Sequence, residues 1–127
     1  MLELRLALMA GKKMNMDTAK IKGYHAHIYY EPATKAAAAR VREGLSRFNV
    51  QLGSWHDELV GPHLKPMYQV LFGTEEFGKV VPWLMLNREG LDVLVHPSTG
   101  DGKGDHLERS LWLGTKLGVN LNAFSGR

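Results

Sequence analysis

Stretches in which apolar and polar side chains alternate predict four β-strands, at residues 24–30, 50–57, 67–72 and 91–95. Two longer stretches between them favour helices. The first, at residues 33–48, is rich in alanine and follows Pro32, which suits the first turn of a helix. The second, at residues 74–87, begins with a threonine and two glutamates, as helix N-termini often do, and we expect it to kink or to start near Pro82.

The order of these elements, βαββαβ, is that of a ferredoxin-like sandwich of the α+β class. It predicts an antiparallel four-stranded sheet that carries both helices on one face and leaves the other face open. The expected spatial order is four, one, three, two, with the first and third strands parallel and the outer two running against them. Because an open and partly apolar face is unfavourable in a chain of 127 residues, we expect a homodimer in which a second subunit covers it.

The length and a hydrophobic content of 44% are those of a single domain, which we place at residues 22–127. Residues 1–21 form a methionine-containing N-terminal arm, interpreted as disordered or as an overlong start, and we expect it to be dispensable for folding and activity. The absence of cysteine excludes disulfides, thiolate metal sites and cysteine nucleophiles. Any metal must therefore bind nitrogen or oxygen atoms.

Charge and hydropathy narrow the range of partners. The net charge is +3, and the basic residues are scattered rather than grouped, so no nucleic-acid partner is predicted. No apolar stretch approaches the roughly 20 residues that span a bilayer, so we expect no membrane association. The N-terminal residues lack the basic start and the cleavage site of a secretory signal, which predicts a cytoplasmic location.

Histidine is the residue type that carries candidate chemistry. His25 and His27 are two residues apart on the first strand, so their side chains point to the same face. His96 ends the fourth strand, and antiparallel pairing would bring it beside His25. We expect the remaining three histidines to lie at the same end of the sheet, and neutral imidazoles suit iron, zinc or copper. These are His56, His63 and His106.

Other candidate side chains each have a simpler structural interpretation. Trp55 could form the floor of an aromatic substrate pocket, or it could be a packing residue. Arg88 could bind a substrate carboxylate, although it could equally be an ordinary surface charge. Four carboxylates in loop-like stretches are also candidates, although turn capping and solvation are their simpler roles. They are Asp57, Glu58, Asp101 and Asp105.

Four separated segments together resemble the DOPA 4,5-dioxygenase family. They are YHAHIY at residues 24–29, WHD at 55–57 with VGPH at 60–63, VPWLMLNR at 81–88, and LVHPSTGD at 94–101. The resemblance implies a ferredoxin-like fold and extradiol ring cleavage of a catechol such as L-DOPA. The implied cofactor is non-haem ferrous iron, with zinc or another divalent metal possible in a purified sample, and the implied partners are a catechol and O₂.

The implied chemistry assigns roles to these residues. Ferrous iron needs about three protein ligands and open positions, and we predict His25, His27 and His96 as metal ligands. Asp57 or Asp101 could replace one of them. A catechol must also lose a proton, and oxygen needs a hydrogen-bond donor, for which His56 and His63 are the candidate catalytic residues. The predicted substrate-binding residues are Trp55, Arg88 and His106.

Two alternatives from other classes remain open. Ferredoxin-like sheets host many functions, so the chain could be a non-enzymatic binding or assembly module that holds no tight metal. The same histidine cluster could also hold zinc and a water molecule, as in a zinc-dependent hydrolase.

Overall fold

The structure is a computed structural model that describes residues 16–124. It contains five strands and three α-helices within that range. The strands are Gly23–Tyr29 (β1), Val50–Leu52 (β2), Met67–Phe72 (β3), Val93–Ser98 (β4) and Leu111–Leu113 (β5). The helices are Lys35–Leu45 (α1), Phe77–Asn87 (α2) and Gly102–His106 (α3), and short 3₁₀ turns precede α1 and α2.

The strands form one antiparallel sheet in the order β2-β3-β1-β4-β5. The order of the first four strands is the predicted one, and two other expectations are wrong. β1 and β3 are antiparallel rather than parallel, because β3 turns back against β2 and so runs opposite to both of its neighbours. The sheet has five strands rather than four, because the apolar segment Leu111–Leu113 pairs with the otherwise free edge of β4.

Both long helices pack on one face of the sheet. Their buried side chains recur at helical spacing, which gives each helix one apolar stripe. α2 begins at Phe77 and runs through the exposed Pro82 without restarting there. The buried helix residues join one core with sheet residues such as Ala26, Ile28 and Val95. They are Ala38, Val41 and Leu45 of α1 and Val80, Val81 and Leu84 of α2.

The opposite face of the sheet is partly covered by the chain itself. Tyr29, Met67 and Leu94 are buried there in a second, smaller cluster. Residues of the loop after β2 and of the C-terminal segment pack on this cluster, among them Val60 and Trp112. The predicted homodimer therefore has less apolar surface to cover than an open face would present, and it stays a prediction.

Most of the predicted N-terminal arm lies outside the described residues. Residues 16–21 are exposed or half-buried, and a 3₁₀ turn at Thr18–Lys20 is capped by the Asp17 side chain. The Lys22 backbone N–H donates to the Ser98 carbonyl oxygen at 2.8 Å, which extends the pairing of β1 with β4 by one residue. Within residues 16–124, no helix combines the length and the apolar character needed to cross a membrane.

Candidate metal centre

The register between β1 and β4 brings three histidines together on the face opposite the long helices. His25 is the direct cross-strand partner of His96, and His27 is paired with Leu94. Directly opposed residues of antiparallel strands share a face, and so do residues two apart along one strand. His25, His27 and His96 therefore project from the same face, with His27 and His96 buried and His25 half-buried.

Two further histidines reach the same place from outside the sheet. His63 belongs to the loop between β2 and β3 and is buried, with 5% of its surface exposed. His106 ends α3, which lies against β4. The His63 ring centroid lies 4.1 Å from that of His27, and the His106 centroid lies 4.0 Å from that of His96.

These five histidines form two overlapping groups that could each hold a metal ion. The first contains His25, His27 and His96, and the second contains His27, His63 and His106. Within each group the potential ligand nitrogens lie within 4.8 Å of one another. His27 belongs to both groups, and its Nε2 lies 3.0 Å from the Nε2 of His96.

Backbone carbonyl groups fix the tautomers of two histidines. The Nδ1–H of His96 donates to the Pro97 carbonyl oxygen at 2.8 Å, and the Nδ1–H of His106 donates to that of Gly102 at 2.7 Å. A carbonyl oxygen can only accept, so Nδ1 carries the proton in both rings and the neutral Nε2 keeps a lone pair. A hydrogen bond from one ring nitrogen to a backbone carbonyl is how metal-binding histidines are commonly oriented.

An unpaired nitrogen supports metal binding at this cluster. His27 Nδ1 is buried and has no hydrogen-bond partner among residues 16–124. A buried polar atom without a partner is costly, so such atoms are rare in folded proteins. A cation coordinated by imidazole nitrogens would satisfy this donor set, and the borderline-soft metals iron, zinc and copper prefer such ligands. The residues present therefore fit a metal ion.

Burial keeps four of the five histidines neutral near pH 7. The pKa of His63 and that of His96 are lowered to about 4. Burial is the main cause, and the charges of neighbouring histidines contribute in the same direction. The carbonyl of Pro97 and the carboxylate of Asp105 oppose this trend for His96. Burial likewise lowers the pKa of His25 and, more strongly, that of His27. Neutral imidazole is the form that binds metal.

The candidate carboxylates Asp57 and Asp101 join neither ligand group among the described residues. Asp57 accepts hydrogen bonds from Tyr30 and Lys35, and Asp101 accepts from Arg109 and Gly104. Asp105, which precedes His106 in the sequence, is buried, with 3% of its surface exposed. It accepts hydrogen bonds from the Thr99 N–H and hydroxyl at 2.8 Å each, and from Arg109 at 3.3 Å. The two ligand groups are thus built from histidine alone.

Three of the predicted site residues lie apart from the cluster. His56 forms an isolated backbone bridge with Met67 and belongs to neither group, although it is close enough to lower the pKa of His63. Trp55 packs on the helix side of the sheet, against the rings of Tyr30 and Tyr68. Arg88 caps the C-terminus of α2 and donates to the Leu91 carbonyl oxygen at 2.8 Å.

Sequence reasoning missed one residue that contacts the cluster. The Tyr29 hydroxyl lies 2.7 Å from His63 Nδ1, and its position continues the alternation of His25 and His27, so the strand pattern could have identified it. Asp105 is one of the candidate carboxylates of the sequence, but its burial could not be predicted, because it depends on how the glycine-rich segment 100–104 folds over β4.

Comparison with known proteins connects this arrangement to a family. The sequence matches the family described as the Dopa 4,5-dioxygenase family over residues 24–123. A DOPA 4,5-dioxygenase from Amanita muscaria is 32% identical over 113 residues, which are 81% of this chain and 50% of that protein. An uncharacterized 21.2 kDa protein from Botryotinia fuckeliana is 34% identical over 120 residues, 84% of this chain and 66% of that protein. The chain thus spans between half and two thirds of the length of these curated relatives.

A solved structure agrees with the fold as well as with the sequence. The crystal structure of a candidate dioxygenase from Nostoc punctiforme superposes with a TM-score of 0.84 at 58% sequence identity. The match covers 86% of this chain and 96% of that one. The family match extends from β1 to the turn that follows β5, and it includes all six histidines. The chain belongs to the Dopa 4,5-dioxygenase family.

Proposed function

We propose that this protein is an extradiol dioxygenase that opens the ring of a catechol such as L-DOPA, using ferrous iron and O₂. The observation that carries the proposal is the cluster of five histidines, three of them buried and two half-buried, in a member of this family. In the reaction the ring carbon–carbon bond next to the pair of hydroxyl-bearing carbons breaks. Both atoms of O₂ enter the product, which is a muconate semialdehyde. No external reductant is consumed.

His25, His27 and His96 are the proposed ligands. His96 has its Nε2 lone pair available, and the half-buried His25 leaves one side of this group accessible to solvent. Ferrous iron bound there would hold the catechol and O₂ next to each other and let charge pass between them. A cavity of about 450 Å³ at the same end of the sheet is lined by His25, Leu71 and Gln51, and it is large enough for a substituted catechol.

Histidines beside the ligands provide the remaining chemistry in this proposal. His63 lies against His27 and would supply a hydrogen bond to the oxygen that develops charge. His106 lines a second cavity of about 290 Å³ together with Trp112 and Lys116, which supports a substrate contact for this residue. Trp55 and Arg88 make their contacts in other parts of the fold, so we assign their effects to packing. His56 belongs to neither ligand group but lies near His63, so it stays a candidate catalytic residue.

Zinc-dependent hydrolysis is the second candidate, and one observation favours it. Neither ligand group among the described residues contains a carboxylate, and three histidines without a carboxylate also form catalytic zinc sites. A metal-bound water would then be the nucleophile. A non-enzymatic module is the third possibility, and it predicts that no metal binds tightly.

Anaerobic reconstitution distinguishes these functions. The purified protein is stripped of metal, loaded with ferrous iron or zinc, and then mixed with O₂ and a panel of catechols. We expect a yellow ring-opened product only when the protein is loaded with iron and not when it is loaded with zinc. One O₂ should be consumed per product molecule, and the product should contain two ¹⁸O atoms when ¹⁸O₂ is supplied. Stoichiometric iron without product from any catechol would contradict the dioxygenase proposal, and failure to bind any metal would favour the module.

A further inference from the structure

We infer that Tyr29 acts as a positioning residue that holds His63 as a hydrogen-bond donor and so keeps it from being a metal ligand. The inference concerns the site of the proposed function, and it depends on that function only for the predicted effect on rate. Tyr29 is buried, with 2% of its surface exposed, and its hydroxyl lies 2.7 Å from His63 Nδ1. The direction of this single hydrogen bond decides what the other nitrogen of His63 can do.

The two possible directions have opposite consequences. If Tyr29 donates its O–H, Nδ1 of the neutral His63 is the acceptor, Nε2 carries the proton, and neither nitrogen is free to bind a metal. If His63 Nδ1–H donates to the phenolic oxygen, Nε2 keeps a lone pair and His63 can complete the second ligand group with His27 and His106.

Hydrogen-bond satisfaction favours donation by Tyr29. In the part of the chain that the structure describes, His63 Nδ1 is the one hydrogen-bond partner found for the Tyr29 hydroxyl. Were His63 the donor, the buried O–H of Tyr29 would be left without an acceptor there, at the cost of an unsatisfied buried donor. A phenol is also the stronger donor of the two groups, and an imidazole nitrogen is the stronger acceptor.

The surroundings hold both rings in this arrangement. The Tyr29 ring stacks on Trp112 at a centroid distance of 5.7 Å and an interplanar angle of 17°, so it has little freedom to turn away. The His63 backbone N–H donates to the Val60 carbonyl oxygen at 3.2 Å, which closes the turn that carries the imidazole. The His63 ring, 4.1 Å from that of His27, then presents an Nε2–H beside the first ligand group.

The pair therefore separates the two overlapping histidine groups. With His63 fixed as a donor, the second group lacks one of its three lone pairs, and His25, His27 and His96 are left as the complete set. This assignment also gives the proposed reaction a hydrogen-bond donor that does not compete with its ligands for the metal.

Nuclear magnetic resonance tests the inference without any turnover. Long-range ¹H–¹⁵N correlations on the metal-free and the zinc-loaded protein report which nitrogen of each histidine is protonated, and a His63→Gln variant assigns the His63 signals. We expect His63 to be protonated at Nε2 in both samples. Protonation at Nδ1, or a shift of Nε2 to the metal-bound range when zinc is added, would overturn the inference.

Two tyrosine variants form a matched pair for the same measurement. Tyr29→Phe removes the proposed donor, so the His63 signals should move toward a mixture of both tautomers. Tyr30→Phe changes the adjacent tyrosine, whose hydroxyl bonds Asp57 instead, and should leave the His63 signals unchanged. Identical His63 signals in Tyr29→Phe and the unmodified protein would show that Tyr29 does not set the tautomer.

Kinetics connects the pair to the proposed reaction. In the iron-loaded protein, Tyr29→Phe should lower kcat about 10-fold, as expected for the loss of one hydrogen bond, while KM and iron content stay unchanged. A fall in iron content in Tyr29→Phe would overturn the inference, since it would mean that Tyr29 supports a ligand. If the unmodified protein cleaves no catechol, the proposed function fails, and the tautomer measurement decides the role of Tyr29 by itself.

Discussion

At the scale of single residues, the chemistry of the cluster depends on which nitrogen of each imidazole carries the proton. His96 and His106 are fixed by backbone carbonyl groups, and His63 is bonded to a tyrosine hydroxyl that can donate or accept. His27 has one nitrogen next to His96 and the other without a partner among the described residues. Five similar rings therefore have different capacities to bind a metal.

Removing single histidines should separate ligands from residues that only surround them. We expect His27→Ala and His96→Ala to lower metal affinity by more than about 100-fold, because losing even an indirect partner of a ligand typically costs 10- to 100-fold. His63→Ala should keep the metal and lower the rate by roughly 10²- to 10⁴-fold, the usual contribution of a lost proton-transfer partner. Metal content is measured by mass spectrometry of the purified variants.

His56→Ala is the matched control for metal content. His56 lies near His63 but belongs to neither ligand group among the described residues. The variant should retain full metal. Loss of metal in His63→Ala together with full metal in His27→Ala would mean that the ligand and donor roles are assigned the wrong way round.

At the scale of elements, α3 is held over β4 by a network of charged and polar groups. Asp105 accepts two hydrogen bonds from Thr99, just beyond the end of β4, and Arg109 bridges Asp105 and Asp101. A Cβ atom at Gly104 would lie 2.5 Å from an Asp101 oxygen and 2.6 Å from an Arg109 nitrogen, so a side chain there would displace this ion pair. This network places His106 against His96.

Asp105→Asn should therefore destabilise the protein. The amide keeps the size of the side chain but loses the charge that faces Arg109 and one of the acceptor oxygens, so we expect a loss of about 1–3 kcal/mol in the free energy of unfolding. Urea denaturation of the metal-free protein measures it. Glu89→Gln is the control, since it alters an exposed carboxylate paired with Arg40 and should have a much smaller effect. Equal stability of the two variants would contradict a structural role for Asp105.

The elements differ in how well the sequence predicts them, and the reason is length. β1, β3 and both long helices have enough residues for alternation or helical spacing to be visible, and their positions agree with the prediction to within a few residues. β2 keeps three of its eight predicted residues, because the chain leaves regular pairing after Leu52 and rejoins β3 at His56. β5 and α3 have three and five residues, too few for a period to emerge, and their positions depend on tertiary contacts.

The predicted site shows the same distinction. Alternation along β1 and antiparallel pairing with β4 were sufficient to predict that His25, His27 and His96 lie together. The inclusion of His63 and His106 depends on loops, and Trp55 lies on the helix side although it adjoins His56 in sequence. Neighbouring residues in an irregular segment have no fixed relative direction, so their faces could not be predicted.

At the scale of the whole molecule, the face opposite the long helices combines the candidate site with the predicted dimer contact. The C-terminal segment and the loop after β2 cover the side near β4 and β5, whereas Gln51, Gln69 and Leu71 over β2 and β3 are exposed or half-buried. A second subunit would have to pack on this remaining part of the face, next to His25.

We still expect a homodimer, and Leu71→Arg tests it together with the unmodified protein. Leu71 is the cross-strand neighbour of both His25 and Gln51, so a charge there should weaken any contact made through this part of the face. Light scattering should give twice the mass of the 14.2 kDa chain for the unmodified protein and a lower mass for the variant. A monomer mass for the unmodified protein at micromolar concentration would contradict the prediction.

The last prediction concerns acid stability, which reports on the whole cluster. The pKa of His63 and that of His96 are lowered to about 4 from an ordinary value of 6.5, so the unfolded chain binds more protons than the folded one between these values. The stability that these groups contribute is fully present above pH 6.5 and is lost as the pH falls toward 4.

We therefore expect the free energy of unfolding of the metal-free protein, measured in urea at pH 7, 5.5 and 4.5, to decrease steadily. A His96→Gln variant should show a shallower decrease, because glutamine does not titrate. A free energy of unfolding that stays constant from pH 7 to 4.5 would mean that the buried rings are not held neutral by the fold.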